Sequence, residues 1–370
     1  MPERITSQRL TAIDGLRGYA VTLTFLVHFA AIFAERRLGV NVSAEPYAHP
    51  DAMSLLMSWL YLSQHGVYLF FVLSGLLIWK KLKRESSSPG RFLVGRALRI
   101  MPAALTSLLL AAWVSVFLGN KAPSFIDWLM NILFLNGLME LRVRHINHAT
   151  WSLFYEWIFY LSAPLIYWLS MQTRKPSMTA AIIGAGIALA LFAYQPLYGA
   201  FIALFIAGCV VALQTSSISQ SLMRDLLLIA LYGAYVSLAG SVIALPAPGS
   251  TPGTFTVTPA YAAYVAGFGV ISAMLVRRAM SPTGFLGAIL SVMPLTQLGR
   301  ISYSLFLFHL PVLWLYYGTG VAQFASVTPG ALQLLVDFAT TFTASILLAH
   351  ASFQLLERPY FNKYSQRTAQ

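Results

Sequence analysis

The sequence predicts an all-α, polytopic membrane protein, and three observations predict it. First, 58% of the 370 residues are hydrophobic and only 10% are charged, against about 25% charged in a soluble domain. Second, apolar stretches recur along the whole chain rather than at one end, and a membrane span needs about 20 such residues. Third, the basic residues between these stretches fall mostly on one side. A leader peptide ahead of a soluble domain is excluded, because no long polar segment is present to form that domain.

Ten spans can be laid out, near residues 11–34, 65–79, 97–118, 151–170, 178–195, 198–213, 225–246, 258–276, 301–319 and 331–356. Shorter apolar pieces at 53–62, 125–138 and 284–298 fit interfacial helices, re-entrant segments or extensions of neighbouring spans. With the N-terminus inside, the inner segments hold 18 Lys and Arg and the outer ones five. That bias supports ten spans with both termini cytoplasmic. The net charge of +12 therefore reads first as loop charge that sets orientation, and second as a site for an anionic ligand. Nucleic acid is not an expected partner; membrane lipid is. The single cysteine, Cys209, rules out an intramolecular disulfide. The expected organisation is one membrane-embedded domain over 1–370, with no fused extracytoplasmic domain.

The first span, "DGLRGYAVTLTFLVHFA", carries Arg17 and His28. Eleven residues bring them back to nearly the same helix face, about 16 Å apart along the axis. Ionisable groups facing lipid are costly, so that face should look into the bundle or a wet cavity. A snorkelling anchor for Arg17 and a packing histidine for His28 are the alternatives. Glu156, in "TWSLFYEWIFY", lies in the outer half of its span, at the expected depth of His28. Side by side they would form a base and its orienter. A salt bridge from Glu156 to Arg142 or Arg144 is the other reading. His309, near the midplane, and Asp337 and His350, in the last span, are further ionisable groups in spans, and a structural hydrogen-bonding role is the favoured reading for Asp337 and His350.

The basic run "KKLKRESSSPGRFLVGRALRIMP" is denser than orientation requires. Lys80 to Arg84 fit lipid anchoring. Arg96 and Arg99 share one helix face and suit phosphate as well as anchoring. His145 and His148 have no further ligand set around them, so no metal is expected. No Walker loop, dinucleotide fingerprint or GxSxG motif is present. Wet intramembrane polar groups also suit a transporter of a sugar or small metabolite. Transporters often show internal repeats, and none is found in this chain.

Six motifs, in order, carry a resemblance: "DGLR" followed by the Arg-x10-His span, "GVYLFFVLSGLLIW", "RALRIMP", "WSLFYE", "LGRISYSLFLFHLPV" and "LLERPYF". In them the chain is similar to the acyltransferase-3 family of membrane O-acyltransferases. The resemblance implies transfer of an acyl group, acetyl being expected, from cytoplasmic acyl-CoA to a hydroxyl. The implied acceptor is a cell-envelope or exported carbohydrate or a related small molecule. Acyl-CoA enters as a substrate, with no permanently bound cofactor, and a bacterial plasma membrane is the implied location. Arg17 and His28 match the family's Arg-His pair, with His28 as base. Arg96 and Arg99 match the basic pair that holds donor phosphates, and Glu156 matches the acid of the Trp-Ser-Leu motif. Ser302 and Tyr303 match the Ser-Tyr-Ser segment and, with His309, are expected to bind substrate. Glu357 and Arg358 match the terminal Glu-Arg-Pro. Tyr68 departs from the pattern, standing where relatives often carry an acid.

Overall fold

The computed structural model describes residues 2–42, 49–62, 64–84, 88–141, 143–214, 221–243, 258–281, 284–324 and 330–361. Fifteen α-helices occur among them, and no strand. In chain order they are α1 (Pro2–Phe33), α2 (Ala52–Leu62), α3 (His65–Arg84), α4 (Pro89–Phe117), α5 (Phe125–Ile132), α6 (Trp151–Met171), α7 (Pro176–Tyr194), α8 (Pro196–Leu213), α9 (Leu222–Ile243), α10 (Pro259–Ala279), α11 (Phe285–Leu290), α12 (Met293–Arg300), α13 (Ser302–Gly318), α14 (Val321–Phe324) and α15 (Ala331–Ser352). A long helix stands at each of the ten expected spans. Six segments are by themselves long and apolar enough to cross a membrane, and the bent pair α12–α13 makes a seventh if counted as one span. The protein is an all-α, polytopic integral membrane protein. α6, α7 and α9 fall outside that set: α6 is dense in Trp and Tyr, the apolar part of α7 is only Met178–Tyr194, and α9 opens on Arg224 and Asp225.

Local chemistry sets the helix starts. Ser88 caps α4, its hydroxyl accepting from the Arg91 amide at 3.4 Å, with Pro89 in the first turn. Thr258 and Pro259 do the same for α10. Ser124 and Asp127 form a capping box at α5. The ambiguous apolar pieces all become short helices: α2, α5 with a following 3-10 turn, and α11 with α12.

Packing depends on glycine where backbones approach. A Cβ on Gly18 would collide with the Leu295 carbonyl oxygen, and one on Gly299 with that of Asp14, so α12 lies directly against α1. Gly15 meets the Leu290 carbonyl at the end of α11 in the same way, so both glycines of "DGLRG" sit where backbones approach. Gly75 and Gly208 give α3 and α8 the same close approach. Further pairs are α8 with α7 and α10, α1 with α3, and α13 with α4 and α15.

Residues expected on one side of the membrane meet. Arg37, just past the end of α1, donates to Asp337 of α15 from Nε at 2.9 Å and from Nη2 at 3.0 Å. Tyr316, Tyr317 and Gln333 also donate to that carboxylate. On the opposite side Arg278 of α10 pairs with buried Asp225 of α9. Asp337 is thus a structural hub, one of the two readings open to it. His350 lies 3.3 Å from Gln354 near the end of α15.

Candidate active site

Two cavities lie along α1 and α3. The first, of about 90 Å³, has Arg17 from α1, Ser74 from α3, Arg96 and Arg99 from α4, Glu156 and Tyr160 from α6, and Ser302 and Tyr303 from α13 on its wall. Three guanidinium groups therefore converge on one small space. Arg17 keeps an ion pair with Asp14 at 3.7 Å. Arg96 is only 7% exposed, and its guanidinium lies 5.8 Å from the Phe92 ring centroid and 6.0 Å from that of Tyr160. Its Nε has no hydrogen-bond partner. Arg99 stacks 5.3 Å from the centroid of Phe361.

The α12–α13 break delivers a second kind of anion donor. The two helices meet at 79°, so α13 starts inside the protein at Ser302. No side chain caps that start. The Ser302 hydroxyl is fully buried and also unpartnered. An uncapped helix N-terminus with free amides is suited to anions. Tyr303 instead spends its hydroxyl on the Ile100 carbonyl at 2.9 Å, tying α13 to α4. Buried Glu357 accepts from Ser304 at 2.6 Å and lies within electrostatic reach of Arg17 and Arg99. Arg358 turns away to the surface and donates to Gln354.

The second cavity holds about 560 Å³ and has His28 on its wall. Around His28 stand Tyr61, Gln64, Tyr68, Asn136, His145, Trp151, Tyr155, Phe201 and Tyr261. Val67 lines both cavities and so stands between them.

Hydrogen bonding fixes the His28 tautomer. His28 Nδ1 is 2.9 Å from the Thr24 carbonyl and 3.1 Å from His309 Nε2. His309 Nδ1 is 3.1 Å from the Leu305 carbonyl. Carbonyl oxygens only accept, so both Nδ1 atoms carry protons. His309 Nε2 is then a lone pair facing the His28 N–H, and His28 Nε2 is left as the free base.

The structure does not bring Glu156 to His28. Glu156 sits in the arginine-lined cavity and accepts from Ser74 at 2.6 Å. The expected base–orienter pair is replaced by His28 with Thr24 and His309. The expected depth is corrected as well as the facing, because Glu156 stands at the level of Arg17 and the other arginines rather than at that of His28. Which neighbour faces which depends on helix rotation and crossing. A Glu156–Arg144 bridge does not form either, since Arg144 donates to the Lys121 and Ala122 carbonyls, and Arg142 lies outside the described residues. His309, expected to bind substrate, is 1% exposed and stands behind His28. Ser302 and Tyr303 lie with the arginines rather than with His28. Tyr68 joins the aromatic wall, its hydroxyl bonded to that of Tyr261.

Sequence reasoning missed Ser74, Tyr160, Asn136 and Gln64. Two of these had a signal. Tyr160 follows Glu156 by four residues, hence on one helix face. Ser74 is the one hydroxyl in "LFFVLSGLLIW".

Comparison with known proteins defines the class. A family model described as an acyltransferase domain matches residues 10–350, and the chain belongs to this acyltransferase-3 family. The transporter reading gives way to this membership. The chain is similar to peptidoglycan O-acetyltransferase OatA of Listeria monocytogenes serovar 1/2a, with 24% identity covering 96% of this chain and 56% of the relative. It is similar also to acyltransferase MdmB of Streptomyces mycarofaciens, with 30% identity covering 51% of this chain and 46% of the relative. The chain thus spans about half the length of these curated relatives. No solved structure matches.

Proposed function

We propose that this membrane acyltransferase moves an acetyl group from cytoplasmic acetyl-CoA to a hydroxyl of an envelope or exported glycan or a related small molecule, in a bacterial plasma membrane. One observation carries the reading. Arg17, Arg96, Arg99, the uncapped α13 N-terminus and the unpartnered Ser302 hydroxyl surround a small cavity that shares Val67 on its wall with the chamber of His28. A buried guanidinium with an unused donor, flanked by two half-buried ones, suits an anionic donor. At about 90 Å³ the cavity takes a phosphate or the acyl end of a pantetheine arm, so the nucleotide would lie on the basic surface outside. The excess of basic residues on that side supports its being cytoplasmic. The O-acetyltransferase relative supports acetyl as the group and a carbohydrate as acceptor.

In this reading His28 Nε2 takes the proton of an acceptor hydroxyl, and the oxygen attacks the thioester carbonyl. The C–S bond then breaks, and the CoA thiolate leaves to be protonated. The imidazolium is held meanwhile by its Nδ1–H on the Thr24 carbonyl and His309 Nε2. Glu156, among the arginines, balances their charge rather than orienting His28. The test is incubation of the purified protein in lipid nanodiscs with radiolabelled acetyl-CoA and an envelope glycan fraction. Donor-dependent, alkali-labile label on the glycan is expected. No label on any hydroxyl compound, from protein that binds acetyl-CoA, would overturn the reading.

A further inference from the structure

The chamber beside His28 differs in character from the arginine cavity. It holds about 560 Å³, within the range of about 300–1,000 Å³ typical of sites for single small molecules. Six aromatic rings face it, from Tyr61, Tyr68, Trp151, Tyr155, Phe201 and Tyr261. Among its described lining residues there is no Lys, Arg, Asp or Glu. A charged ligand would lose its water there and find no countercharge.

Asn136, one of the lining residues, carries a buried polar atom that lacks a partner. Asn136 is 4% exposed, and its Nδ2 donates to the Thr150 hydroxyl oxygen at 2.9 Å. Thr150 has already given its own proton to the Asn147 carbonyl at 2.8 Å, so it can only accept from Asn136. This fixes the amide orientation and leaves Asn136 Oδ1 as a buried acceptor with nothing to accept from. A buried carbonyl in that state needs a donor. A hydroxyl can supply one and a carboxylate cannot. Gln64 adds a second amide to the wall. Broad aromatic faces suit the C–H face of a saturated ring, and the amides suit its hydroxyls.

We infer that this chamber is the acceptor site, and that it selects an uncharged, hydroxyl-bearing ring anchored by an O–H donated to Asn136. The inference deepens the acyl-transfer reading and rests on it for the fate of the bound molecule. Selection comes from uncompensated burial, which turns away uronic acids and amino sugars while a neutral sugar ring of the same size binds.

Occupancy can be read without catalysis. Val143 lies on the chamber wall and Cys209 is buried, so a Val143→Cys variant gives one reactive thiol. The purified full chain in nanodiscs is alkylated with a maleimide, with no acyl donor present. Methyl glucoside, methyl glucuronoside and methyl glucosaminide are the probes. The neutral glycoside should slow alkylation at a concentration about tenfold lower than either charged one, the worth of one good hydrogen bond or more. Adding Asn136→Ala should raise its protecting concentration about tenfold and leave the unprotected rate unchanged. If that variant misfolds, Asn136→Asp, of the same shape, should weaken protection by the glucuronoside most. Equal or better protection by a charged glycoside, or none by any, overturns the inference. A parallel reaction with radiolabelled acetyl-CoA separates the two readings. Protection without transfer removes the enzyme reading and leaves the chamber; transfer to the neutral glycoside without protection does the reverse.

Discussion

His309 Nε2 lies 3.1 Å from His28 Nδ1, and this contact leaves the opposite nitrogen of His28 free as a base. Without it the ring has only the Thr24 carbonyl to hold its orientation. A hydrogen bond to a group that becomes charged is worth about 1.5–3 kcal/mol. His309→Ala should therefore lower kcat by roughly 10- to 100-fold. His309→Gln, which keeps an oxygen to accept from His28, should recover most of that loss. Steady-state kinetics of both variants, with donor KM unchanged, check the positioning role. Equal loss in both would show that the ring only fills space.

Arg96→Ala with Arg99→Ala should weaken acetyl-CoA binding by about tenfold or more, since charge-assisted bonds to phosphate are lost. Membrane insertion should persist, because Lys80, Lys81, Lys83 and Arg91 remain on the same segment. Calorimetric titration of inserted, purified protein gives the affinity. Unchanged affinity would make the pair an anchor only.

The Arg37–Asp337 hub gives a stability prediction independent of catalysis. Asp337 is fully buried and is the countercharge of Arg37. Asp337→Asn leaves the guanidinium without it, and breaking such a pair costs about 3–5 kcal/mol. Thermal unfolding in detergent should shift down clearly, while acetyl-CoA affinity, set by the other end of the bundle, should not change in what remains folded.

How much of this was legible in the sequence follows from what periodicity encodes. Helix positions were readable because apolar runs and their proline and serine starts are local. The shared face of Arg17 and His28 follows from the helical repeat, whereas the close approaches at Gly15 and Gly18 emerge only in the packed structure. The joining of Arg17 with Arg96, Arg99 and Glu156 was not readable, nor that of His28 with His309. Those depend on the 79° turn before Ser302 and on which faces of α1, α6 and α13 meet. Glu156 shows the limit. Its depth was argued from sequence to match that of His28, yet it lines the arginine cavity with Arg17 and accepts from Ser74.

The loop ahead of α6 carries a pH prediction. Burial, with His148 beside it, pulls the His145 imidazole down to about 4. In an opened loop it titrates near about 6.5. The opened loop then binds a proton that the docked loop does not, so docking is fully favourable above about 6.5 and weakens as pH falls toward 4. Hydrogen exchange of residues 143–148, corrected for its intrinsic pH dependence, should rise across that window. His145→Gln should flatten the response. A rise unchanged by that substitution would place the acid-sensitive group elsewhere.

The central claim is that His28 is the base of acyl transfer. The most direct measurement is single-turnover transfer from radiolabelled acetyl-CoA by His28→Gln, with acetyl-CoA affinity determined on the same preparation. Glutamine can hydrogen-bond to Thr24 and His309 but cannot take the acceptor's proton. The account predicts a loss of about 10²- to 10⁴-fold in rate, about 3–5 kcal/mol of barrier, at unchanged donor affinity. Near-normal turnover in this variant, with protein folded and donor bound, would contradict it.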